Sequence, residues 1–283
     1  MAASPIISII VAAFNRGGTL QRCIDSVAGQ THAAKELILM DGGSTDGTLD
    51  IIRANERKIA HWRSEPDRGI YHAWNKGLAV ARGEWMAFLG ADDYLHDPRA
   101  LEQMSGHLAA ESTAHRIVYG RVIVVDAAGA EILRLGAPWA SARASFMAGT
   151  TCLPTPAVMF HRNLFREHGR FDETFSIAGD YEFLLRELKN AEPKFVAELV
   201  VTDMQYGGIS SRPESTLISL REMRSARVKH GLAGLNLKYL AALAGVRLRL
   251  LLWQIAGEQA ARRILDWGRW LLGKPPFWTK ANG

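Results

Sequence analysis

The chain has 283 residues, 48% of them hydrophobic and 22% charged, which allows a large buried core and excludes a disordered polypeptide. Its net charge of +5 is only moderately basic, so where the basic residues sit matters more than how many there are. The two cysteines, Cys23 and Cys152, have no metal-ligand neighbours, which excludes a disulfide framework and a zinc spacing and fits a reducing, cytoplasmic setting.

The first residues lack the basic stretch and cleavage pattern of a secretion signal, and they run straight into Ile6–Ala13, a continuous apolar run that predicts a central parallel strand. A loop, Phe14 to Gly18, follows. Thr19 is placed to cap a helix whose apolar positions are Leu20, Cys23, Ile24 and Val27. Glu36–Met40 is the next strand and ends in Asp41-Gly42-Gly43-Ser44-Thr45-Asp46-Gly47. Asp46 either caps the helix carrying Leu49, Ile51 and Ile52 or serves a ligand. Lys58–Ser64 reads as a third strand and Ile70–Arg82 as a helix. The succession β-α-β-α-β-α-β predicts a mostly parallel sheet with right-handed crossovers.

Trp85 to Leu89 is the most informative strand, because it runs into two adjacent carboxylates, Asp92 and Asp93. Paired acids at the carboxyl end of a core strand are either solvated in a turn or neutralised by a cation. Beyond them, Pro98–Ala110 reads as a helix. His115–Val125 and Glu131–Leu135 form a hairpin about Asp126-Ala127-Ala128-Gly129. Phe146–Pro156 reads as irregular, Ala157–Phe160 as a short strand, Asp180–Asn190 as an amphipathic helix with an acidic start, and Phe195–Thr202 as a strand. No GxGxxG and no GxxxxGK[ST] loop occurs, so dinucleotide-dehydrogenase and P-loop readings lose support.

Four blocks in order, AAFNR after the first strand, LILMDGGSTDGT, SEPDRGIYHAWNKGLAVARGEW and FLGADD, resemble glycosyltransferase family 2 with its GT-A fold, over about residues 6–210. The resemblance implies an inverting transfer from a nucleotide-sugar, usually a UDP-sugar, to a saccharide or lipid-linked saccharide, with Mg²⁺ or Mn²⁺ as cofactor and no nucleic-acid partner. It assigns Ala12, Ala13 and Phe14 to the loop against the donor base and Asp41 to the base itself. Asp67, Arg68, Gly69, Asn75 and Lys76 go to the donor's base, ribose or phosphate, Asp92 to the ribose side, Asp93 to the metal, and Asp180 to the catalytic base. Gly207-Gly208-Ile209-Ser210 resembles the family's closing loop. This sequence departs from the pattern twice. His72 stands where an acid is common, and is either a donor or acceptor contact or an ordinary helix residue; and no acid lies two places before Asp93. His161 is either an acceptor-side residue or a structural polar contact. Trp74, Trp85 and Trp139 either stack a sugar or fill the core, with Trp85 read as core. Rival readings are a non-catalytic nucleotide-sugar or carbohydrate-binding module and a sugar nucleotidyltransferase.

The expected division is a catalytic unit over 1–211, with a donor half to about 97 and an acceptor half over 98–211, and a basic helical extension over 212–283. In the extension Leu237, Leu240, Ala244, Leu248, Leu251 and Ile255 recur at helical spacing beside Arg247, Arg249, Arg262, Arg263, Arg269 and Lys274, with Trp253, Trp267, Trp270, Phe277 and Trp278 among them. A basic, tryptophan-bearing helix of this kind suits the inner face of a membrane, peripherally bound; packing on the catalytic unit or on a second copy is the alternative. A spanning helix is not expected, because Lys238, Arg247 and Arg249 interrupt the apolar run.

Overall fold

The computed structural model describes residues 7–111, 115–208, 213–234, 236–271, 273 and 276–279. The first four strands are β1 (Ile7–Ala13), β2 (Lys35–Asp41), β3 (His61–Ser64) and β4 (Trp85–Gly90), joined by α1 (Leu20–Ala28), α2 (Thr48–Ala54) and α3 (Ile70–Val80). All four run parallel, in the order β3-β2-β1-β4. Their apolar runs are buried on both faces because helices cover both. On α1, Leu20, Cys23, Ile24 and Val27 share one buried stripe. Each large aliphatic side chain buried there contributes roughly 1.5–3 kcal/mol.

The second half adds β5 (Tyr94–Leu95), α4 (Ala100–Glu111), β6 (Ile117–Val125), β7 (Glu131–Leu135), α5 (Trp139–Met147), β8 (Val158–His161), α6 (Arg162–His168), α7 (Gly179–Leu188) and β9 (Lys194–Gln205). The full order is β3-β2-β1-β4-β8-β6-β9-β5, with β7 on β6. β8 is antiparallel to both β4 and β6, and β9 is parallel to β6, so β1, β2, β3, β4, β6 and β9 all point one way. The carboxyl ends of these six strands share one edge of the sheet. β1 lies between β2 and β4, so the connections diverge on either side of it; the crevice at the ends of β1 and β4 is where such sheets bind ligands.

Several local expectations are revised. Glu56–Lys58 forms a 3-10 turn, which delays β3 to His61. The stretch expected to be irregular from Phe146 onward begins inside α5, whose Phe146 is fully buried. Thr19 is the residue before α1, but its hydroxyl donates to the Ala91 carbonyl at 3.0 Å instead of capping the helix. Trp74, Trp85 and Trp139 are all buried, so none presents a ring to a sugar.

The expected extension divides in two. α8 (Pro213–Lys229) packs on α7, placing Met223 and Ala226 in the same core as Phe183 and Leu184. At its end Lys229 Nζ and His230 Nε2 meet the fully buried Glu182 carboxylate at 2.8 and 2.7 Å. α8 is thus part of the main body. α9 (Leu237–Leu271) covers α8 through Tyr239 and Val246 on Leu220, and bends at Gly257, whose φ of 74° no helix residue adopts. Its other face leaves Leu248, Leu251, Ile255, Trp267 and Trp270 exposed. Contrary to the expectation from its arginines, α9 is long and apolar enough to cross a membrane by length and composition.

Candidate active site

Two loops are laced together at the crevice. After β1 the chain turns through Asn15, a non-glycine residue at φ 52°. Its N–H donates to Ser44 Oγ at 2.8 Å, and its side-chain oxygen accepts the Thr45 N–H at 3.0 Å. The Asp46 carboxylate accepts from Thr48 N–H and from Gly17 N–H, at 3.2 and 3.0 Å, so it both opens α2 and ties the β1 loop down. Asp41, at the tip of β2, is fully buried. Its carboxylate accepts from Ser44 Oγ at 2.5 Å, Ser64 Oγ at 2.6 Å and the Gly43 and Ser44 amides at 3.2 and 3.0 Å. Asp41 therefore shapes the loop from beneath, and its oxygens are committed within the protein.

Phe14 is 58% exposed, although it follows a core strand. A Cβ on Gly42 would stand 2.7 Å from Asp67 Oδ2 and 3.3 Å from the Phe14 ring, so the ring and the carboxylate flank the bare Gly42 backbone. Asp67 Oδ1 accepts the Gly69 N–H at 2.9 Å, which fixes the turn into α3.

The paired acids follow β4. A Cβ on Gly90 would come 2.7 Å from Asp92 Oδ1 and 2.8 Å from Asp93 Oδ2. Both carboxylates therefore converge over one glycine, and only glycine admits them. Asp92 faces Arg16 Nε at 3.7 Å and is neighboured by Gly208, where a Cβ would lie 3.8 Å from Asp92 Oδ2. Asp93 is buried and accepts the Gln205 N–H at 3.2 Å, which brings the end of β9 against the end of β4. Burial, and then the Asp92 charge, push the Asp93 carboxyl up to about 7. Arg22 braces this corner from α1, lying 4.0 Å over the Tyr94 ring and donating to Gln205 Oε1 at 3.0 Å.

Asp180 opens α7 on the same edge. Its Oδ2 accepts from Thr155 Oγ1 at 2.6 Å, and Oδ1 accepts from Tyr181 N–H at 2.8 Å. Tyr71 OH, at the start of α3, donates to the Ile177 carbonyl at 2.6 Å and stands 3.3 Å from Asp180 Oδ1. Thr155 precedes β8, which runs antiparallel to β4, and Tyr71 follows the β3 loop; both elements therefore deliver their side chains to the carboxyl edge. Burial raises the Asp180 carboxyl above its ordinary range, and the hydrogen bonds from Thr155, Tyr181 and Tyr71 offset only part of that. The approach to Asp180 is held from α8: Glu222 accepts from the Ser176, Ile177 and Ala178 amides at 2.8, 2.9 and 2.8 Å, and from Ser176 Oγ at 2.6 Å.

The structure thus brings Ala12, Ala13, Phe14, Asp41, Asp67, Gly69, Asp92, Asp93, Asp180, Gly207 and Gly208 to one edge; Ile209 and Ser210 fall outside the described residues. Others go elsewhere. Asn75 is buried, with its side-chain amide exchanging two hydrogen bonds with the Phe171 backbone and donating to Glu173, which leaves it a brace for the 169–175 loop. Lys76 pairs with Glu65 at 3.3 Å, and Arg68 with Glu173 at 2.5 Å. His72 accepts the Arg68 N–H. His161 pairs in register with Trp85, at the opposite end of β4 and about 16 Å along the strand from the acids. It accepts the Asn163 N–H to start α6 and touches Glu84 at 3.4 Å, so its structural reading holds and its acceptor-side reading does not. Sequence reasoning missed Arg16, Arg22, Tyr71, Thr155, Gln205 and Glu222. Arg16 and Tyr71 stand inside the AAFNR and GIYHAW blocks and could have been noticed there; the rest carry no local signal, since each acts on a residue far away in the chain.

The sequence profile of glycosyl transferase family 2 matches residues 8–169. The chain belongs to that family. It is 32% identical over 216 residues to a PGL/p-HBAD biosynthesis glycosyltransferase of Mycobacterium tuberculosis, an alignment covering 74% of this chain and 80% of that one. Among solved structures, the fold is similar to that of residues 1–349 of Staphylococcus aureus TarS in complex with UDP-GlcNAc, with a TM-score of 0.60 and 18% identity, over 88% of this chain and 73% of that fragment. It is also similar to the mannosyltransferase PcManGT of Pyrobaculum calidifontis in complex with GDP-Man and Mn²⁺, with a TM-score of 0.62 and 18% identity, over 99% of this chain and 84% of the other. The chain is a family 2 glycosyltransferase of GT-A type.

Proposed function

We propose that this enzyme inverts the anomeric centre of a nucleotide-sugar, a UDP-sugar in the first instance, in one displacement by a hydroxyl of a saccharide or lipid-linked saccharide, with Asp180 as base. The observation that carries the reading is the placement of Asp180 on the sheet edge that also holds Asp92 and Asp93, with both of its oxygens hydrogen-bonded and burial raising its carboxyl above its ordinary range. Phe14 and Asp67, both against the bare Gly42 backbone, receive the donor base, with Asp41 holding the loop. Gly69 fixes the turn into α3 beside Asp67, and Asp92 lies toward the ribose.

The family implies a divalent cation, and the carboxylates fit one. Asp92 and Asp93 offer hard oxygen donors converging over Gly90, and their mutual charge is under-compensated, which a cation would relieve. Among the described residues no third acid, histidine or cysteine joins them, so Asp93, with Asp92 beside it, would hold Mg²⁺ or Mn²⁺ together with ligand oxygens and water. When bound, the ion supplies charge neutralisation for a departing diphosphate. The chain's own part is different. Asp180 accepts the proton of the attacking hydroxyl while Thr155 and the Tyr181 amide hold its carboxylate in place, and no covalent nucleophile is required.

TarS and PcManGT were solved with UDP-GlcNAc and with GDP-Man and Mn²⁺, which supports a nucleotide-sugar donor of either base type. The exposed apolar face of α9 and its arginines support peripheral binding at the inner face of a membrane, where a lipid-linked acceptor would be met. The test is a screen of UDP-, GDP- and dTDP-sugars with and without Mn²⁺, followed by Asp180→Asn. The variant should bind donor as wild type does and lose transfer by a factor of about 10²–10⁴. Transfer at near wild-type rate would remove Asp180 from the role. A wild-type protein that binds donor but never turns it over would favour the non-catalytic rival.

A further inference from the structure

The residues that the family pattern assigns to the donor, but that the structure turns away from it, line a recess of their own. On β2 and β3, Met40 stands opposite Arg63 and Ile38 opposite His61, on the α3 face of the sheet. The next residue of β2, Asp41, points to the other face. Between this sheet edge, the flank of α3 and the 170–173 segment lies an open cavity of about 380 Å³. Its lining includes Arg63, Arg68, Lys76, Arg170, His61 and His72.

The charge count there does not balance. Four fixed cations face the recess, and two carboxylates serve them. Glu65 takes Arg63 at 2.7 Å and Lys76 at 3.3 Å. Glu173 takes Arg68 at 2.5 Å and also accepts from Asn75. Both acids are therefore fully engaged, the recess carries two positive charges in excess, and the Arg170 guanidinium has no counter-charge within ion-pair distance among the described residues. His72 adds a donor. Its Nδ1 accepts the Arg68 N–H at 3.1 Å, so the ring proton sits on Nε2.

We infer that this recess is a second anion site, distinct from the crevice at Asp92 and Asp93, and that it takes a phosphoryl group carrying about two negative charges. Guanidinium groups recognise such a group by paired N–H donors, and the histidine N–H supplies a further one. The phosphoryl group comes either from a soluble phosphate compound or from the headgroup of a phosphorylated lipid. The inference does not rest on the assignment of donor or base.

The experiment is calorimetric titration of the full chain with inorganic phosphate in the presence of chelator, so that no cation recruits it to Asp92 and Asp93. Wild type should bind saturably. Arg63→Ala with Arg170→Ala should weaken binding by about tenfold or more, the worth of one charge-assisted hydrogen bond, while Arg63→Lys with Arg170→Lys should recover part of it. Both positions are exposed, and unchanged thermal melting shows the fold is kept. Displacement of phosphate by a short-chain phosphatidic acid points to the lipid source, and failure of displacement to the soluble one. Absence of saturable binding in wild type, or undiminished binding in the alanine variant, overturns the site.

Discussion

Asp180 shows how much a single carboxylate owes to its neighbours. Burial raises it, and three donors hold its oxygens. Because the base must be ionised, transfer should fall as pH drops through its folded pKa, and that fall should come above the ordinary aspartate range of about 3.9. Thr155→Val removes an O–H that favours the anion, so the acid limb of kcat should move to still higher pH. A limb that stays put or moves down in a pH–rate profile would contradict the assignment. Gly90 gives a second test at this scale. In Gly90→Ala the new methyl would stand under 3 Å from both acids and must drive them apart. Chelator-sensitive donor binding, read by calorimetry with Mn²⁺, should be lost while the fold persists.

Among elements, α8 matters most beyond the sheet. Its Glu222 gathers four donors from Ser176, Ile177 and Ala178 and so sets where α7 begins. Burial alone would raise this carboxyl, but the Ser176 hydroxyl and the backbone amides outweigh it and hold the group below its usual range. Glu222→Ala leaves those amides unpaired and should cost about 2–3 kcal/mol, read as a drop in Tm of roughly 3–5 °C. It should lower kcat for transfer more than it raises KM for donor, since it frees the base and not the residues assigned to the donor. An equal loss in both would place Glu222 in general stability only. The same helix clamps Glu182 and Asp172 through Lys229. Burial works against the Asp172 anion, yet the Lys229 ammonium and Thr174 outweigh it and bring its pKa down to about 2. This contribution to stability is present above the unfolded value near 3.9 and fades as pH falls through about 2.

At the scale of the whole molecule, the carboxyl edge and the apolar face of α9 set how the enzyme meets its substrates. Trp267 and Trp270 are 63% and 70% exposed, so replacing both by serine removes apolar area without opening a core. Co-sedimentation with anionic vesicles should fall several-fold, while transfer to a soluble acceptor should be unchanged. Unaltered vesicle binding, together with a change in sedimentation coefficient of the free protein, would instead assign this face to a second copy of the chain.

The sequence by itself determined the α/β succession, the family and the acids at the strand tips. Apolar runs such as Ile7–Val11 and Trp85–Leu89 announce core strands by composition, and the carboxylates follow them directly in the chain, so both signals are local. It also placed Asp180 at the start of a helix. Only the tertiary structure decided which polar side chains are free to act. Asn75 is consumed by the Phe171 backbone, and His161 lies at the far end of β4 because β8 runs antiparallel to it. Thr155 and Glu222 reach Asp180 and its approach from 25 and 46 or fewer positions away in the chain. Strand direction and helix docking set such partnerships, and both are properties of the packed core; no window of neighbouring residues contains them.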